Sequence, residues 1–97
     1  MIRSFADAAT EDLFNGVDSR RARKACPVDL WPVARRKLTQ LNRVRELAEL
    51  SAPPGNRLEK LRGDRAGQHS IRINDQYRVC FRWESSYADE VQVTDYH

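Results

Sequence analysis

The sequence is poor in cysteine and contains no long apolar run. Its two cysteines, Cys26 and Cys80, are too few for a disulfide-rich scaffold, and no spacing of cysteine and histidine suggests a zinc site. No apolar stretch approaches the roughly 20 residues of a transmembrane helix. Residues 1–12 carry one early arginine followed by acids, unlike a secretory signal peptide. We therefore expect a cytoplasmic protein that uses no metal or cofactor and does not associate with membranes.

The chain is also short, and it has neither internal repeats nor low-complexity tracts. Its 97 residues are enough for one domain, which excludes a multidomain enzyme. A chain of this length buries about 60–65% of its unfolded surface, which supports one thin core. Hydrophobic residues make up 40% and charged residues 32%, a composition that excludes an intrinsically disordered protein. We expect a single domain over residues 1–97.

Positive charge is concentrated in the middle of the sequence. Residues 19–65 contain thirteen basic and five acidic groups, a net charge of +8, whereas residues 1–18 and 66–97 carry net charges of −3 and −2. Of the 17 basic residues, 14 are arginine, and guanidinium groups bind phosphate bidentately and stack on bases. A polyanionic partner explains this bias, and so does a genome rich in G·C codons. Composition does not separate the two explanations.

The first part of the chain predicts a short strand and then a helix. Alternating apolar and polar side chains in residues 2–5 favour a strand. Asp7 can cap a helix that runs to about Phe14, and Gly16 can end it. Residues 17–28 are charged and irregular, so they form either a solvated connection or the frayed start of a helix.

The longest predicted element is a basic amphipathic helix over residues 30–50. Asp29 is a suitable N-cap, and Pro32 falls in the first turn, where its missing N–H is harmless. Apolar residues follow at helical spacing. The opposite face carries four cations, which are Arg35, Arg36, Lys37 and Arg43. This face is either an RNA-binding surface or an ordinary solvated surface, and the pattern alone leaves both interpretations open.

The rest of the chain predicts strands. Residues 57–63 form either a short strand or a turn, and residues 68–83 alternate as a β-hairpin does, with its turn at residues 74–75. Val91 and Val93 belong to a last strand. The expected fold class is α+β in the order β-α-α-β-β-β, with an antiparallel sheet packed against two N-terminal helices.

Several arginines fall on one face of the predicted hairpin. Arg78 and Arg82 alternate with apolar residues on one strand, and Arg72 lies across from them. This face cannot be a dry core, because an unpaired buried guanidinium is very costly. Either it is solvated, or it pairs with nearby acids, or it binds phosphate. Spacing alone favours pairing, and the candidate acids are Glu84, Glu90 and Asp95.

These features together resemble a known family. Residues 54–81 read PGNRLEKLRGDRAGQHSIRINDQYRVCF, residues 1–5 read MIRSF and residues 93–97 read VTDYH. All three segments resemble the HigB branch of the RelE/ParE toxin superfamily, and residues 63–81 are the most specific part. The resemblance spans nearly the whole chain. It implies a small RelE-like fold and a type II toxin that cleaves mRNA in the A site of the 70S ribosome.

The resemblance also implies partners and site residues. The expected partner is a HigA-type helix-turn-helix antitoxin, through which the toxin would reach operator DNA only indirectly. Arg78 matches the catalytic strand arginine of the family, and Asp95, Tyr96 and His97 match its last active-site residues. Members of this branch often carry His-x-x-Lys where this chain has Glu59 and Arg62. Arg62 keeps the cationic role, whereas the role of Glu59 is open. Further candidate RNA contacts, besides the basic helix, are Arg65, Arg72 and Gln76.

The implied chemistry needs no metal ion. The RNA 2′-OH attacks the adjacent phosphate, a base removes its proton, and an acid protonates the departing 5′-oxygen. Arg78 and Arg62 would stabilise the growing negative charge. His97 is the candidate acid, with Asp95 orienting it or acting as base, and Glu59 is a second candidate base. Tyr96 can stack on a base or hydrogen-bond to phosphate.

Two other functions remain open at this point. One is a non-nucleolytic toxin of the ParE type that acts by binding DNA gyrase. The match at Arg78 and the final histidine argue against it. The other is an RNA-binding or ribosome-binding module with a decayed site, which the departure at Glu59 allows.

Overall fold

The computed structural model describes residues 1–95. Its helices are α1 (Ala8–Asn15), α2 (Arg20–Ala25) and α3 (Trp31–Arg43). Its strands form one antiparallel sheet in chain order, comprising β1 (Glu59–Lys60), β2 (Gln68–Arg72), β3 (Tyr77–Glu84) and β4 (Tyr87–Asp95). Short 3₁₀ turns lie between these elements, at Val28–Leu30, Leu47–Ser51, Pro54–Asn56 and Gly63–Arg65. The predicted α+β class is confirmed, and within residues 1–95 no helix has the length and apolar character to cross a bilayer.

The first helix begins and ends as predicted. The side chain of Asp7 accepts a hydrogen bond from the backbone N–H of Thr10 at 2.8 Å. Gly16 ends the helix with φ 75°, in the left-handed region. Glycine enters this region without the steric penalty that a Cβ atom brings, which explains its place there.

A further helix, α2, occupies part of the segment that the sequence left open. The Oγ of Ser19 accepts a hydrogen bond from the N–H of Ala22 at 3.1 Å and caps the helix, and Ala22 is fully buried. Arg21 forms an ion pair with Asp12 of α1. The prediction of two N-terminal helices is therefore wrong by one. The helix α2 is held by a cap, an ion pair and one small buried residue. None of these contacts requires the periodic apolar residues by which a helix is predicted from sequence.

The basic helix α3 is shorter than predicted. It ends at Arg43 rather than near residue 50. The carboxylate of Glu49 accepts hydrogen bonds from the backbone N–H groups of Arg45 and Glu46, at 2.7 and 2.8 Å. These bonds begin a separate 3₁₀ turn, so the apolar spacing that suggested one long helix is shared between two elements.

The start of α3 also differs from the prediction. Asp29 lies inside the preceding 3₁₀ turn, and Leu30 occupies the cap position without a side-chain hydrogen bond. The predicted cap at Asp29 is therefore wrong. The preceding turn supplies carbonyl acceptors instead, since the N–H of Trp31 donates to the carbonyl of Val28. Pro32 lies in the first turn, as predicted.

The segment predicted as a first strand forms only two isolated bridges. Ile2 pairs with Ala88 and Phe5 pairs with Val91, and both bridges are parallel. Between them β4 shifts register against β3, and Glu90 has φ 52°. Such a bulge interrupts a ladder of backbone hydrogen bonds, so the chain follows this edge of the sheet without forming a continuous strand.

The predicted hairpin is confirmed. Strands β2 and β3 pair in one continuous antiparallel register. In the turn, the Oδ1 of Asn74 accepts hydrogen bonds from the backbone N–H groups of Gln76 and Tyr77, at 2.9 and 2.7 Å. The segment left open between a strand and a turn contains the two-residue strand β1, and the predicted last strand is β4.

The hydrophobic core lies on one face of the sheet. Ile71, Val79 and Phe81 are fully buried there and belong to one core cluster with Leu38 and Leu41 of α3. Successive side chains of a strand point to opposite faces. The side chains between these apolar residues therefore lie on the other face, called here the outer face, which carries the arginines.

Candidate active site on the outer sheet face

Strand register determines which side chains share the outer face. Glu59 on β1 lies opposite Ser70 on β2, and Ser70 lies opposite Cys80 on β3. One step along the sheet, Arg72 lies opposite Arg78. Directly opposed residues of antiparallel strands point to the same side, with their Cβ atoms about 4.5–5.5 Å apart. The register therefore places a carboxylate and two guanidinium groups on one patch of sheet.

The guanidinium of Arg78 is held by three groups. Its Nε donates to the Oγ of Ser70 at 2.7 Å, and its Nη2 donates to the backbone carbonyl of Arg57 at 2.5 Å. Its Nη1 lies 3.8 Å from a carboxylate oxygen of Glu59. Only 12% of its side-chain surface is exposed, so full solvation, one of the alternatives left open for this face, is wrong for Arg78. Glu59 on the short strand β1 and Arg57 before it cover the Arg78 side chain and hold it in one orientation.

The carbonyl that holds Arg78 belongs to an unusual stretch of backbone. Arg57 has φ 44° in the left-handed region, which L-residues rarely adopt. The residue before it, Asn56, is fully buried. Its side chain accepts from Lys37 at 2.5 Å and donates to Gln40 and to the carbonyl of Leu50. Bonds from α3 thus fix the turn that presents the carbonyl to Arg78.

A second arginine, Arg65, lies over the sheet beside this site. It donates to the side-chain oxygens of Gln68 on β2 and Gln92 on β4, each at 3.1 Å. Cys80 lies in β3 between those strands and is fully buried. Burial raises the pKa of the Cys80 thiol, although Arg65 and Arg78 partly oppose this shift. Cys80 therefore stays a protonated packing residue, because a nucleophilic cysteine needs a lowered pKa.

The remaining sheet arginines pair with acids. Arg82 forms an ion pair with Glu90 at 2.5 Å, as the pairing interpretation predicted. Arg72 pairs with Asp75 in the hairpin turn at 2.6 Å, rather than with one of the three candidate acids. Arg62 is exposed, and its side chain has no hydrogen bond or ion pair within the described part of the chain.

Asp95 does not lie on the outer face. It pairs in register with Tyr77, whereas Arg78 pairs with Thr94, so Asp95 shares the helix-covered face with Tyr77. Its carboxylate accepts a hydrogen bond from the side chain of Gln76 at 2.9 Å. The register therefore places Asp95 on the face of the sheet opposite Arg78, away from the arginine face for which it was a candidate acid. The predictions for Tyr96 and His97 lie outside the described residues.

The cationic face predicted for α3 is divided by the fold. Arg35 donates to the carbonyl of Leu13 at 3.2 Å and lies over the ring of Trp31. Lys37 donates to Asn56, as described above. Arg36 and Arg43 remain exposed and line an open groove of about 480 Å³. Arg35 and Lys37 therefore hold neighbouring segments together, and a four-residue RNA-binding face stays a prediction.

Two residues of the site were missed from the sequence. Ser70 alternates with the apolar residues of β2, which could have placed its side chain on the arginine face. Arg57 acts through its backbone carbonyl, and no sequence signal marks its left-handed conformation. Among residues 1–95, no group of three or more potential ligand side chains is arranged to hold a metal ion.

The fold corresponds to that of a solved structure. A solved structure, the YoeB–YefM complex from Staphylococcus aureus, matches 100% of this chain and 98% of the matched chain, with a TM-score of 0.54. The sequences are only 14% identical, so this likeness concerns the fold alone. The fold is that of the RelE-like toxins.

Sequence comparisons identify the family within this class. The family described as "RelE-like toxin of type II toxin-antitoxin system HigB" matches residues 3–97, so the chain belongs to the HigB-like toxins. Toxin HigB-1 of Vibrio cholerae is 36% identical over 88 residues, covering 91% of this chain and 90% of that protein. An uncharacterised protein of Haemophilus influenzae is 35% identical over 65 residues, or 67% of this chain and 64% of that protein. The resemblance found in the sequence is confirmed.

Proposed function

We propose that this HigB-like toxin is a ribosome-dependent endoribonuclease that cleaves mRNA in the A site and so inhibits translation in the cytoplasm. The observation that carries the proposal is the arrangement of Arg78 and Glu59 on the outer face. A guanidinium fixed by Ser70 and Arg57 lies 3.8 Å from a carboxylate that is 54% exposed. A cation and a base are the two groups that RNA transesterification needs at the reacting phosphate.

The proposed reaction breaks the P–O5′ bond of the RNA. Glu59 takes the proton of the 2′-OH, whose oxygen attacks the adjacent phosphorus. Arg78 stabilises the charge on the non-bridging oxygens, because its donors are already oriented and need no reorganisation. Arg62 and Arg65 add positive charge along the same edge of the site. The products are a 2′,3′-cyclic phosphate and a free 5′-hydroxyl.

The departing 5′-oxygen needs a proton donor. His97 is proposed for this role, since an imidazole titrates near neutrality and can both hold and release a proton there. Tyr96 is proposed to stack on a base of the bound codon. Between the two candidate bases, Glu59 is favoured over Asp95 because Glu59 shares the face of Arg78 and Asp95 does not. Asp95 is proposed to act by orienting its neighbours.

A primer-extension map of cellular mRNA after induction tests this function. We expect cuts in phase with codons in cells that express the wild-type chain and none with Arg78→Ala. Induction of a DNA-damage response without mRNA cuts would replace the proposal with the gyrase-binding alternative. Ribosome binding without cuts would instead favour a binding module with a decayed site.

The toxin is further proposed to be neutralised by a HigA-type helix-turn-helix antitoxin. The family is part of a type II toxin–antitoxin system, and the structural neighbour is solved with YefM in a complex. The adjacent gene should therefore encode a small helix-turn-helix protein that co-purifies with the toxin and restores growth when co-expressed. Absence of such a neighbour would contradict the assignment of this partner.

A further inference from the structure

Asn56 is a fully buried polar residue in the turn before β1. Its backbone N–H donates to the carbonyl of Pro53 at 3.0 Å. Its side-chain oxygen accepts a hydrogen bond from the ammonium of Lys37 at 2.5 Å. Its side-chain amide donates to the Oε1 of Gln40 at 3.0 Å and to the carbonyl of Leu50 at 2.9 Å. Both amide hydrogens are therefore in use, and the side chain is held in one position.

Two of these partners belong to α3, which gives Asn56 a rigid support. Lys37 and Gln40 are three residues apart, so they are neighbours on one side of the helix. Leu38 and Leu41 of the same helix are fully buried in the core. A hydrogen bond from a charged donor, such as that from Lys37, is stronger than one between neutral groups. The position of Asn56 is therefore set by the helix layer.

The residue after Asn56 transmits this position to the candidate site. Arg57 has φ 44°, and a residue other than glycine keeps such a conformation only where its surroundings hold it. Its carbonyl accepts the Nη2 hydrogen bond of Arg78 at 2.5 Å. Only a few covalent bonds separate this carbonyl from Asn56, so a shift of Asn56 moves the acceptor away from the guanidinium.

We propose that Asn56 is a positioning residue, which holds the carbonyl of Arg57 against Arg78 and so sets the direction in which the guanidinium donates. The inference rests on the proposed function in taking Arg78 as the group that stabilises charge on the phosphate. Asn56 is buried and does not itself contact RNA. Its effect on the reaction should therefore pass entirely through Arg78.

Nuclear magnetic resonance of the Arg78 side chain tests the positioning without any cleavage. A guanidinium that is held at both Nε and Nη2 rotates slowly about its C–N bonds and gives separate Nη–H signals, whereas a freely rotating one gives a merged signal. The signals of the wild-type chain are assigned by their loss in Arg78→Lys. Asn56→Ser should merge the Nη–H signals. The Nε–H signal should persist, because it reports the bond to Ser70.

Two matched variants control for general effects. Asn42 also lies on α3, and its side-chain oxygen accepts a hydrogen bond from the backbone N–H of Ile2 at 2.9 Å. Asn42→Ser should lower the melting temperature without changing the Arg78 signals. Arg57→Asn removes the guanidinium of that residue but keeps its carbonyl, and asparagine tolerates the left-handed conformation. Arg57→Asn should therefore keep the separate Nη–H signals.

Separate Nη–H signals in folded Asn56→Ser would overturn the proposal. If Asn56→Ser does not fold, Gln40→Met decides, because it removes one bond to Asn56 and leaves those from Lys37 and to Leu50. Gln40→Met should broaden the Nη–H signals, and an unchanged spectrum would overturn the proposal.

A double-mutant cycle carries the test to the reaction, measured as single-turnover cleavage on programmed ribosomes. Asn56→Ser should lower the maximal rate by about tenfold to a hundredfold, the cost of a small displacement of a reacting group. The ribosome concentration at half-maximal rate should not change. In an Arg78→Ala background, Asn56→Ser should lower the rate no further, because the group that it positions is gone. An equal fall in both backgrounds would make Asn56 a residue of the fold alone and overturn the proposal.

Failure of the proposed function gives a different result. A wild-type chain that does not cleave mRNA on programmed ribosomes would overturn the proposed endoribonuclease. The Arg78 signals of Asn56→Ser would still decide whether Asn56 orients the guanidinium.

Discussion

Arg78 donates its Nε hydrogen to the Oγ of Ser70, a side chain that is fully buried on the outer face of the sheet. The serine sits directly across from Cys80, two positions along β3 from the arginine. With the carbonyl of Arg57 as a second acceptor, this bond fixes the plane of the guanidinium. A catalytic cation is most effective when its donors are oriented before the charge develops.

Ser70→Ala should therefore slow the chemical step. Hydrogen bonds to charged groups are worth about 1.5–3 kcal/mol, so single-turnover cleavage on programmed ribosomes should fall by about tenfold to a hundredfold. The ribosome concentration at half-maximal rate should change little, because the serine itself does not reach the surface. Thermal melting provides the fold control.

Thr94→Ala is the matched variant for this experiment. Thr94 lies opposite Arg78 on β4 but makes no hydrogen bond to it within residues 1–95. We expect Thr94→Ala to cleave at the wild-type rate, and Arg78→Ala to lose about 10²–10³ in rate. A wild-type rate for Ser70→Ala would show that its bond to Arg78 has no part in positioning the arginine.

Two arginines of α3 should behave differently. Arg43 is exposed in the groove, whereas Arg35 bonds to Leu13 and lies over Trp31. Arg43→Gln should lower the slope of log affinity against log salt for ribosome binding, by about the amount that one phosphate contact contributes. The melting temperature should stay unchanged. Arg35→Gln should destabilise the fold by about 1–2 kcal/mol, through loss of a hydrogen bond and a cation–π contact.

Salt titrations of ribosome binding and urea unfolding, run on both variants, separate these roles. If Arg43→Gln gave the wild-type salt slope, the exposed part of α3 would be an ordinary solvated surface. If Arg35→Gln were as stable as wild type, its contacts with Leu13 and Trp31 would be incidental.

Local signals predicted the fold well where they act over a few residues. The cap at Asp7, the stop at Gly16 and the hairpin around Asn74 depend on side-chain and backbone preferences that are readable from sequence. The end of α3 was predicted wrongly, because the 3₁₀ turn capped by Glu49 continues the same apolar spacing. Helical periodicity does not distinguish one long helix from a helix followed by a turn.

The site was only partly predictable, for a related reason. Alternation placed Arg72 and Arg78 on one face, but it could not give the partner of Arg78, which is set by how β1 pairs with β2. Asp95 was a candidate acid for the arginine face. A shift of one residue moves a side chain to the opposite face of a strand. Asp95 pairs with Tyr77 rather than with Arg78, so its side chain lies on the face opposite Arg78.

The ion pair between α1 and α2 should make stability depend on pH. Asp12 is 7% exposed and accepts hydrogen bonds from Arg21 and Ser19, each at 2.6 Å. These bonds, with that to Arg21 the larger cause, lower the pKa of Asp12 below its ordinary value of 3.8. A lowered pKa in the folded state stabilises the protein above the ordinary value, and this stabilisation is lost as the pH falls through the folded value.

Urea unfolding of Asp12→Asn over a series of pH values measures this effect. The variant should be less stable than wild type at neutral pH, and the difference should shrink as the pH falls below about 4. Asp64→Asn, at an exposed acid without a partner among residues 1–95, should show no such difference. A deficit for Asp12→Asn that is constant with pH would mean that packing, rather than charge, holds α2.

The assignment of acid and base can be tested with a pH profile of single-turnover cleavage. His97→Gln keeps a polar side chain but cannot transfer a proton near neutral pH, and general acid catalysis contributes about 10²–10⁴ in rate. We expect His97→Gln to lose most of its cleavage activity. The remaining rate should no longer fall at alkaline pH. The rate of Glu59→Gln should no longer fall at acidic pH, because the acidic limb of the profile reports a base becoming protonated.

His69→Gln controls for the chain's second histidine. His69 is half-buried beside Phe81 on the helix-covered face, and burial, together with Lys60, lowers its pKa. Because His69 faces away from the site, this variant should keep both limbs of the profile. Full activity in His97→Gln with an unchanged melting temperature would transfer the acid role away from His97, leaving Glu59 and the arginines as the groups that carry the reaction.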